Sequence, residues 1–220
     1  MDKLRLSFEK TGRAAYISHL DLMRTIQRAF LRAGLPLRYS EGFNPHAQIS
    51  MLLPLSLGHE SVCELMDFRV YADCDLASVP EQLSAVLPEG IRVKSAYEPE
   101  RKSRELKWLR AEGRLSYDGG VSPDLCEKLV RFFSQEQIVI LRKTKRGEGE
   151  SDIRPAIRSL TAAPDGACGV LLDAVISAQE PTLNPEHLVS ALRQLAPELA
   201  PDFARFMRTA VYDAELQPFA

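Results

Sequence analysis

The sequence predicts an α+β fold of two tandem ferredoxin-like (βαββαβ) units. Three observations predict it. Apolar stretches of period two and period 3.6 alternate as β-α-β-β-α-β through the first 98 residues. The same order returns from Trp108 onward. Between them lies a polar, charged, proline-containing stretch, Glu98-Pro99-Glu100-Arg101-Lys102-Ser103-Arg104. The expected units are therefore 1–98 and 108–220 with a linker at 99–107, a duplication of the fold without a visible residue-level repeat.

Each element has its own signal. Leu4, Leu6 and Phe8 alternate with Arg5 and Ser7, as in a half-buried strand that Gly12 ends. Ser18 is an N-cap with Asp21 three residues on, and Leu20, Met23, Ile26 or Gln27, Phe30 and Leu31 follow at helical spacing until Gly34 and Pro36. Strands are expected at Gln48–Leu57 and Glu64–Ala72. Leu76–Leu87 is expected to be a helix, with Pro80 in its first turn, and Ile91–Tyr97 a strand. In the second half Trp108–Tyr117 reads as a strand, Ser122-Pro123 opens a helix through Phe133, and Gln137–Leu141 is β-rich. A polar loop through Gly147 and Gly149 leads to strands at Ile153–Ala162 and Gly169–Ser177. A helix from Asn184-Pro185 to Leu195 and a last strand, Ala204–Tyr212, complete the series.

Bulk properties limit the class. The 220 residues are 45% hydrophobic and 26% charged, which fits a folded soluble chain. No run reaches the roughly 18 apolar residues that span a bilayer, and the N-terminus has no apolar signal core. A cytoplasmic protein with no membrane contact is expected. Cys63, Cys74, Cys126 and Cys168 are scattered, so reduced thiols are expected rather than disulfides or a metal site. The net charge of −2 hides an alternation: 1–40 carry +5, 41–100 carry −7, 101–158 carry +5 and 159–220 carry −5. Local basic faces can coexist with an acidic total.

Arg24, Arg28 and Arg32 recur every four residues on the first helix, a slanting stripe roughly 12 Å long. Such a stripe suits phosphates, although a solvated face would look the same. Arg142-Lys143-Thr144-Lys145-Arg146-Gly147 reads as a second basic element, a hairpin able to grip nucleic acid, or simply a soluble one. Tyr39 and Phe43 supply rings on which unpaired bases can stack. His19, at the helix start, and His46, in the turn after Phe43-Asn44-Pro45, are the candidates for acid–base chemistry. The two segments that carry them flank one helix and are expected to meet. Phosphate-loop, dinucleotide, zinc-protease and serine-hydrolase motifs are all missing, and no cofactor is expected.

Phe8-Glu9-Lys10-Thr11-Gly12, Ile17–Arg24, Leu35–His46 and Pro54–Gly58, with Leu141–Gly147 and Asp152-Ile153-Arg154-Pro155, resemble the signature of the radical-SAM-linked protein family. The resemblance spans essentially the whole chain. It implies a bacterial cytoplasmic protein in the stand-alone form, a radical SAM enzyme as partner, and genes near those for ribosomes and RNA processing. It supplies no activity, and this chain lacks the cysteine triad that would hold a radical SAM cluster. A fold-level analogy points to CRISPR repeat-RNA endonucleases, but the tail Asp213–Ala220 has none of their glycines.

The expected function is that of an RNA-binding or RNA-processing accessory module, with structured or ribosomal RNA as partner. The contacts would come from Arg24, Arg28, Arg32, Tyr39, Phe43, Lys143, Lys145 and Arg146. The alternatives are an adaptor for a separate radical SAM enzyme and an RNA-directed enzyme using His19 or His46. Asp152 and Arg154, two apart on a strand and so on one face, are expected to join Ser18, His19, Asp21 and Asn44 in one inter-domain site.

Overall fold

Leu4, Leu6 and Phe8 are buried on one face of strand β1 (Leu4–Lys10), as their period requires, while on the other face Arg5 is buried as well and Ser7 and Glu9 are half-buried. The structure is a computed structural model that describes residues 3–71, 74–144 and 147–219, with Lys143 and Thr144 by backbone alone. It is α+β, and it divides into one unit through Glu105 and a second from Leu106 to Phe219.

In the first unit, a 3-10 turn (Gly12–Tyr16) leads from β1 to helix α1 (His19–Arg32). Ser18 caps α1 as expected: its Oγ accepts from the Asp21 backbone N–H at 3.2 Å and donates to the Asp21 carboxylate at 2.8 Å. Leu22, Ile26, Ala29 and Phe30 form the buried stripe, and the Phe30 ring meets Phe68 at 5.1 Å between centroids. Strands β2 (Ile49–Met51) and β3 (Glu60–Phe68), helix α2 (Val79–Ser84) and strand β4 (Ile91–Tyr97) follow. The antiparallel sheet runs β4-β1-β3-β2. The long strand expected at Gln48–Leu57 shrinks to three residues. Pairing with β3 ends at the Leu52 N–H, which donates to Leu65 O, because Pro54 has no N–H to give.

The second unit contains β5 (Trp108–Ser116), α3 (Leu125–Phe133), β6 (Val139–Thr144), β7 (Gly147–Asp152), β8 (Ile157–Pro164), β9 (Gly169–Ser177), α4 (Glu186–Leu195) and β10 (Phe203–Tyr212). Its antiparallel sheet runs β10-β5-β9-β8. In both units the four sheet strands thus lie in the order fourth, first, third, second. The segment expected to be a polar loop is strand β7, which pairs with β6 from Val139↔Asp152 to Thr144↔Gly147 and forms a hairpin of its own. Glu148-Gly149-Glu150 has no apolar alternation, so only its partner reveals it as a strand.

Gly113, in the middle of β5, has the Phe206 ring where a side chain would start: an added Cβ would lie 2.6 Å from Cε1. Gly113→Ala should therefore cost about 1–3 kcal/mol by overpacking. A urea midpoint equal to that of the unaltered chain would refute this contact.

Candidate nucleic-acid interface

The chain leaves the sheet edge at Tyr39 and returns at Ala47, which pair across a single bridge. Between them the neck is closed by Ser40 and His46. The Ser40 N–H donates to His46 O at 2.9 Å, the His46 N–H donates to Ser40 Oγ at 3.1 Å, and that hydroxyl meets His46 Nδ1 at 2.9 Å. Gly42 turns the loop at φ +123°, a value that side chains resist. The outcome is a tied loop whose tip, Glu41–Pro45, is exposed throughout, with Phe43 fully in solvent. Burying such a ring is worth about 1.5–3 kcal/mol, and this fold forgoes it. Tyr39 and Tyr71 add two more exposed rings beside the neck, where the Tyr39 N–H reaches the Tyr71 hydroxyl at 3.4 Å.

Below the neck lies a hollow of about 320 Å³, lined by Lys3, His46, Gln48, Ser50, Asp67 and Arg69 among others. Asp67, 5% exposed, is held by Arg5 Nε at 2.7 Å and Lys3 Nζ at 2.6 Å. Two cations thus satisfy one buried carboxylate. Arg69 has no ion-pair partner among the described residues. The hollow carries surplus positive charge, and His46, engaged through Nδ1, keeps Nε2 for a further bond. Its chemistry suits an anion next to a stacked ring.

The expected meeting of the two motif segments does not occur. Lys10 pairs with Ser61, its Nζ donates to Ala15 O at 2.9 Å, and the Gly58 N–H reaches the same carbonyl, so Tyr16–Asp21 begins at the Ser61 end of β3. The Arg38 N–H donates to Arg69 O, which places Tyr39–His46 at the Phe68 end. At roughly 3.3 Å of rise per strand residue, Ser61 and Phe68 are about 23 Å apart. His19 and His46 are therefore not an acid–base pair, and Asn44 does not join Ser18, His19 and Asp21. The helix between the segments spans the unit instead of folding its flanks together.

The arginine stripe is exposed but partly engaged. Arg24 Nη1 donates to the Asp21 carboxylate at 3.0 Å and Arg32 Nη2 donates to Val86 O at 2.5 Å, while Arg28 projects into solvent. Hydrogen bonds from Ser18 and then Arg24 hold the Asp21 carboxyl below the usual range. In the second unit, Asp152 ends β7 and Arg154 opens a 3-10 turn (Arg154–Ala156), so strand alternation does not set their directions. Asp152 Oδ1 accepts the Ile138 and Arg154 N–H groups, and the Arg154 guanidinium donates to Gln135 O and Ile157 O. Both fasten the root of the hairpin. Lys145 and Arg146 lie outside the described residues, as does the side chain of Lys143.

Sequence reasoning missed Lys3, Arg69 and Tyr71. The available signal was the continued alternation of charged with apolar residues, Lys3-Leu4-Arg5 and Phe68-Arg69-Val70-Tyr71.

Residues 3–185 match a family model described as an uncharacterized protein conserved in bacteria (DUF2344). The chain belongs to this family. The DUF2344 stretch takes in the tied loop, the hollow and the β6–β7 hairpin, and ends just before α4. A search of the curated proteins found no match. Among solved structures, the chain is similar to one in a crystal structure of a Cbf5-Nop10-Gar1 complex, at 11% identity and a TM-score of 0.49. The match covers 94% of this chain and 48% of that one, so the chain spans about half of its length. It is also similar to an unknown protein from Galdieria sulphuraria, at 12% identity and a TM-score of 0.27, with 94% and 98% covered. A CRISPR-associated protein from Thermus thermophilus matches at 17% identity and a TM-score of 0.21, with 94% and 99% covered. Among the described residues no helix is long and apolar enough to cross a membrane.

Proposed function

We propose that this DUF2344 protein is an RNA-binding accessory module of the radical-SAM-linked group, working in the bacterial cytoplasm. Its two units are tandem ferredoxin-like folds in this reading, which the shared fourth-first-third-second strand order supports. The observation that carries the function is Phe43, wholly exposed on a loop tied by Ser40 and His46, beside a hollow with surplus positive charge. Unpaired bases stack on Phe43, Tyr39 and Tyr71, and phosphates sit against Arg69, Lys3 and His46. Arg28 extends the basic surface elsewhere on the unit.

The test is fluorescence anisotropy with a labelled oligouridine. Stacking on one ring contributes about 1–3 kcal/mol, so Phe43→Ala should weaken binding by roughly 5- to 150-fold. Affinity should also fall steeply with salt, by about 0.7 in log–log slope per phosphate contacted. Equal retention at low and high salt, or none at either, would sink the reading.

A second reading is an adaptor for a radical SAM enzyme. It is favoured by the exposed apolar group Tyr16, Leu20 and Leu57 at the Ser61 end, Leu20 being 66% exposed. Leu22, in the same motif segment, is buried and takes no part. A radical SAM protein that co-purifies after nuclease treatment and is lost in Leu20→Glu supports docking; its retention in that variant counts against it.

A further inference from the structure

The sheet of the second unit has one face of buried residues, among them Leu109, Ala111, Leu115, Leu172, Ala174 and Phe206, on the side where α3 packs against β8. The other face is open at one end. Strand register places Phe203, Ser116 and Gly169 in one row across β10, β5 and β9, and Arg205, Arg114 and Leu171 in the next. Phe203 is 52% exposed, and Arg114, Arg205, Ser116 and Leu171 are exposed with it.

Arg114 and Arg205 are direct cross-strand partners. Like charges facing each other across a ladder are destabilising, and natural sheets place opposite charges there. No acid of this face forms an ion pair with either arginine among the described residues. Asp173 is taken by Arg110, in a bidentate contact that pushes the guanidinium still further above its already high range. Glu112, one row away, is the remaining carboxylate on these strands' open face. Neither Arg114 nor Arg205 has an ion-pair partner among the described residues. Arg205 instead lies over the Phe203 ring, 5.7 Å from its centroid. An unneutralised arginine pair beside an exposed ring has the chemistry of a phosphate next to a base, and Ser116 and Gly169 keep the floor beside the ring low.

We propose that this open sheet face is a binding platform for single-stranded nucleic acid, with Phe203 stacking a base and Arg114 and Arg205 sharing the adjoining phosphate. The platform stands on the second unit alone. It adds to the tied loop of Phe43 and shares only the ligand class with it.

The experiment uses the full chain and a labelled oligouridine of about twelve nucleotides, within the roughly 4–16 that a single-strand-binding OB fold covers. Arg114→Gln with Arg205→Gln should weaken binding at least tenfold. It should also flatten the log–log salt slope by about 0.7 for each phosphate lost. The denaturation midpoint should hold or rise, because a repulsive pair has been removed; this separates loss of a contact from loss of folding. Phe203→Ala should weaken binding about fivefold or more. Unchanged affinity and slope in all three substitutions overturn the platform. So does a poly-glutamate probe that binds as well as oligouridine and ignores Phe203→Ala, which would make the face a site for acidic protein. Loss in Phe43→Ala alone overturns the platform and leaves the loop standing; loss in the sheet-face variants alone does the reverse.

Discussion

Lys10→Met should destabilise the first unit by about 1–3 kcal/mol, the cost of leaving a buried acceptor without its donor. Lys10 is 1% exposed, at the end of β1. Burial pushes its pKa down, and the nearby Glu64 carboxylate, itself inaccessible, pulls it back up. The Lys10 ammonium also donates to Ala15 O at 2.9 Å, which holds the 3-10 turn that delivers Tyr16 to Ser18. Methionine keeps the length and flexibility of the side chain but returns neither the charge nor the donor. Changing Glu64→Leu together with Lys10→Met should recover part of the loss, since the buried carboxylate is then not left without the nearby ammonium. The pH dependence has a definite sign. With the folded pKa lowered, the unfolded chain holds its proton more tightly. Stability conferred through this group is therefore present above the ordinary lysine pKa of about 10.4 and is lost as pH falls through the folded value. Denaturant titrations of both variants, with the alkaline slope of the unaltered chain, check this. A single mutant as stable as the original would overturn it.

Gly90→Ala should cost about 2–4 kcal/mol. Gly90 has φ +85°, where a side chain is strained, and an added Cβ would run into the Thr11 carbonyl oxygen and sit 2.9 Å from the Ala14 Cβ. The Gly90 carbonyl accepts the Thr11 N–H at 2.7 Å, so the two backbones cannot part without losing that bond. The obstacle is backbone rather than a movable side chain, and relief must come from shifting the whole turn. Gly90 also lines a cleft of about 600 Å³ with Glu9, Thr11, Gly12, Arg13 and Arg92, so the variant should disturb that surface as well. Urea denaturation with an unshifted midpoint would show that the turn yields freely.

What could be read beforehand follows from range. The Ser18 cap, the extent of α1, β4 and β9 are local patterns, and they were legible because a strand or helix repeats within a few residues; the buried stripe of α1 was misplaced, since Leu20 and Leu31 are exposed and Leu22 and Ala29 take their place beside Ile26 and Phe30. Phe43 and Tyr39 were legible as rings in a turn. The burial of Lys10 was not: its neighbours Glu64 and Ala15 come together only once β1 pairs with β3 and the 3-10 turn folds back. Nor was the Arg114–Arg205 pair, since a register across strands 91 residues apart in sequence has no local trace. The pairing of His19 with His46 misled even though the helix between them was legible: 14 residues at about 1.5 Å each hold its two flanks about 21 Å apart.

That helix and the strand beneath it set a yardstick for whatever the protein holds. The Tyr16–Asp21 and Tyr39–His46 segments sit about 23 Å apart along β3, at roughly 3.3 Å per residue. A free nucleotide or small metabolite can visit one of them but cannot bridge both. At about 3.4 Å per stacked nucleotide, a strand reaching from one to the other needs about seven. A ligand that feels both at once must be a polymer, and the minimum length at which a second segment begins to matter can be read from a ladder of oligonucleotides.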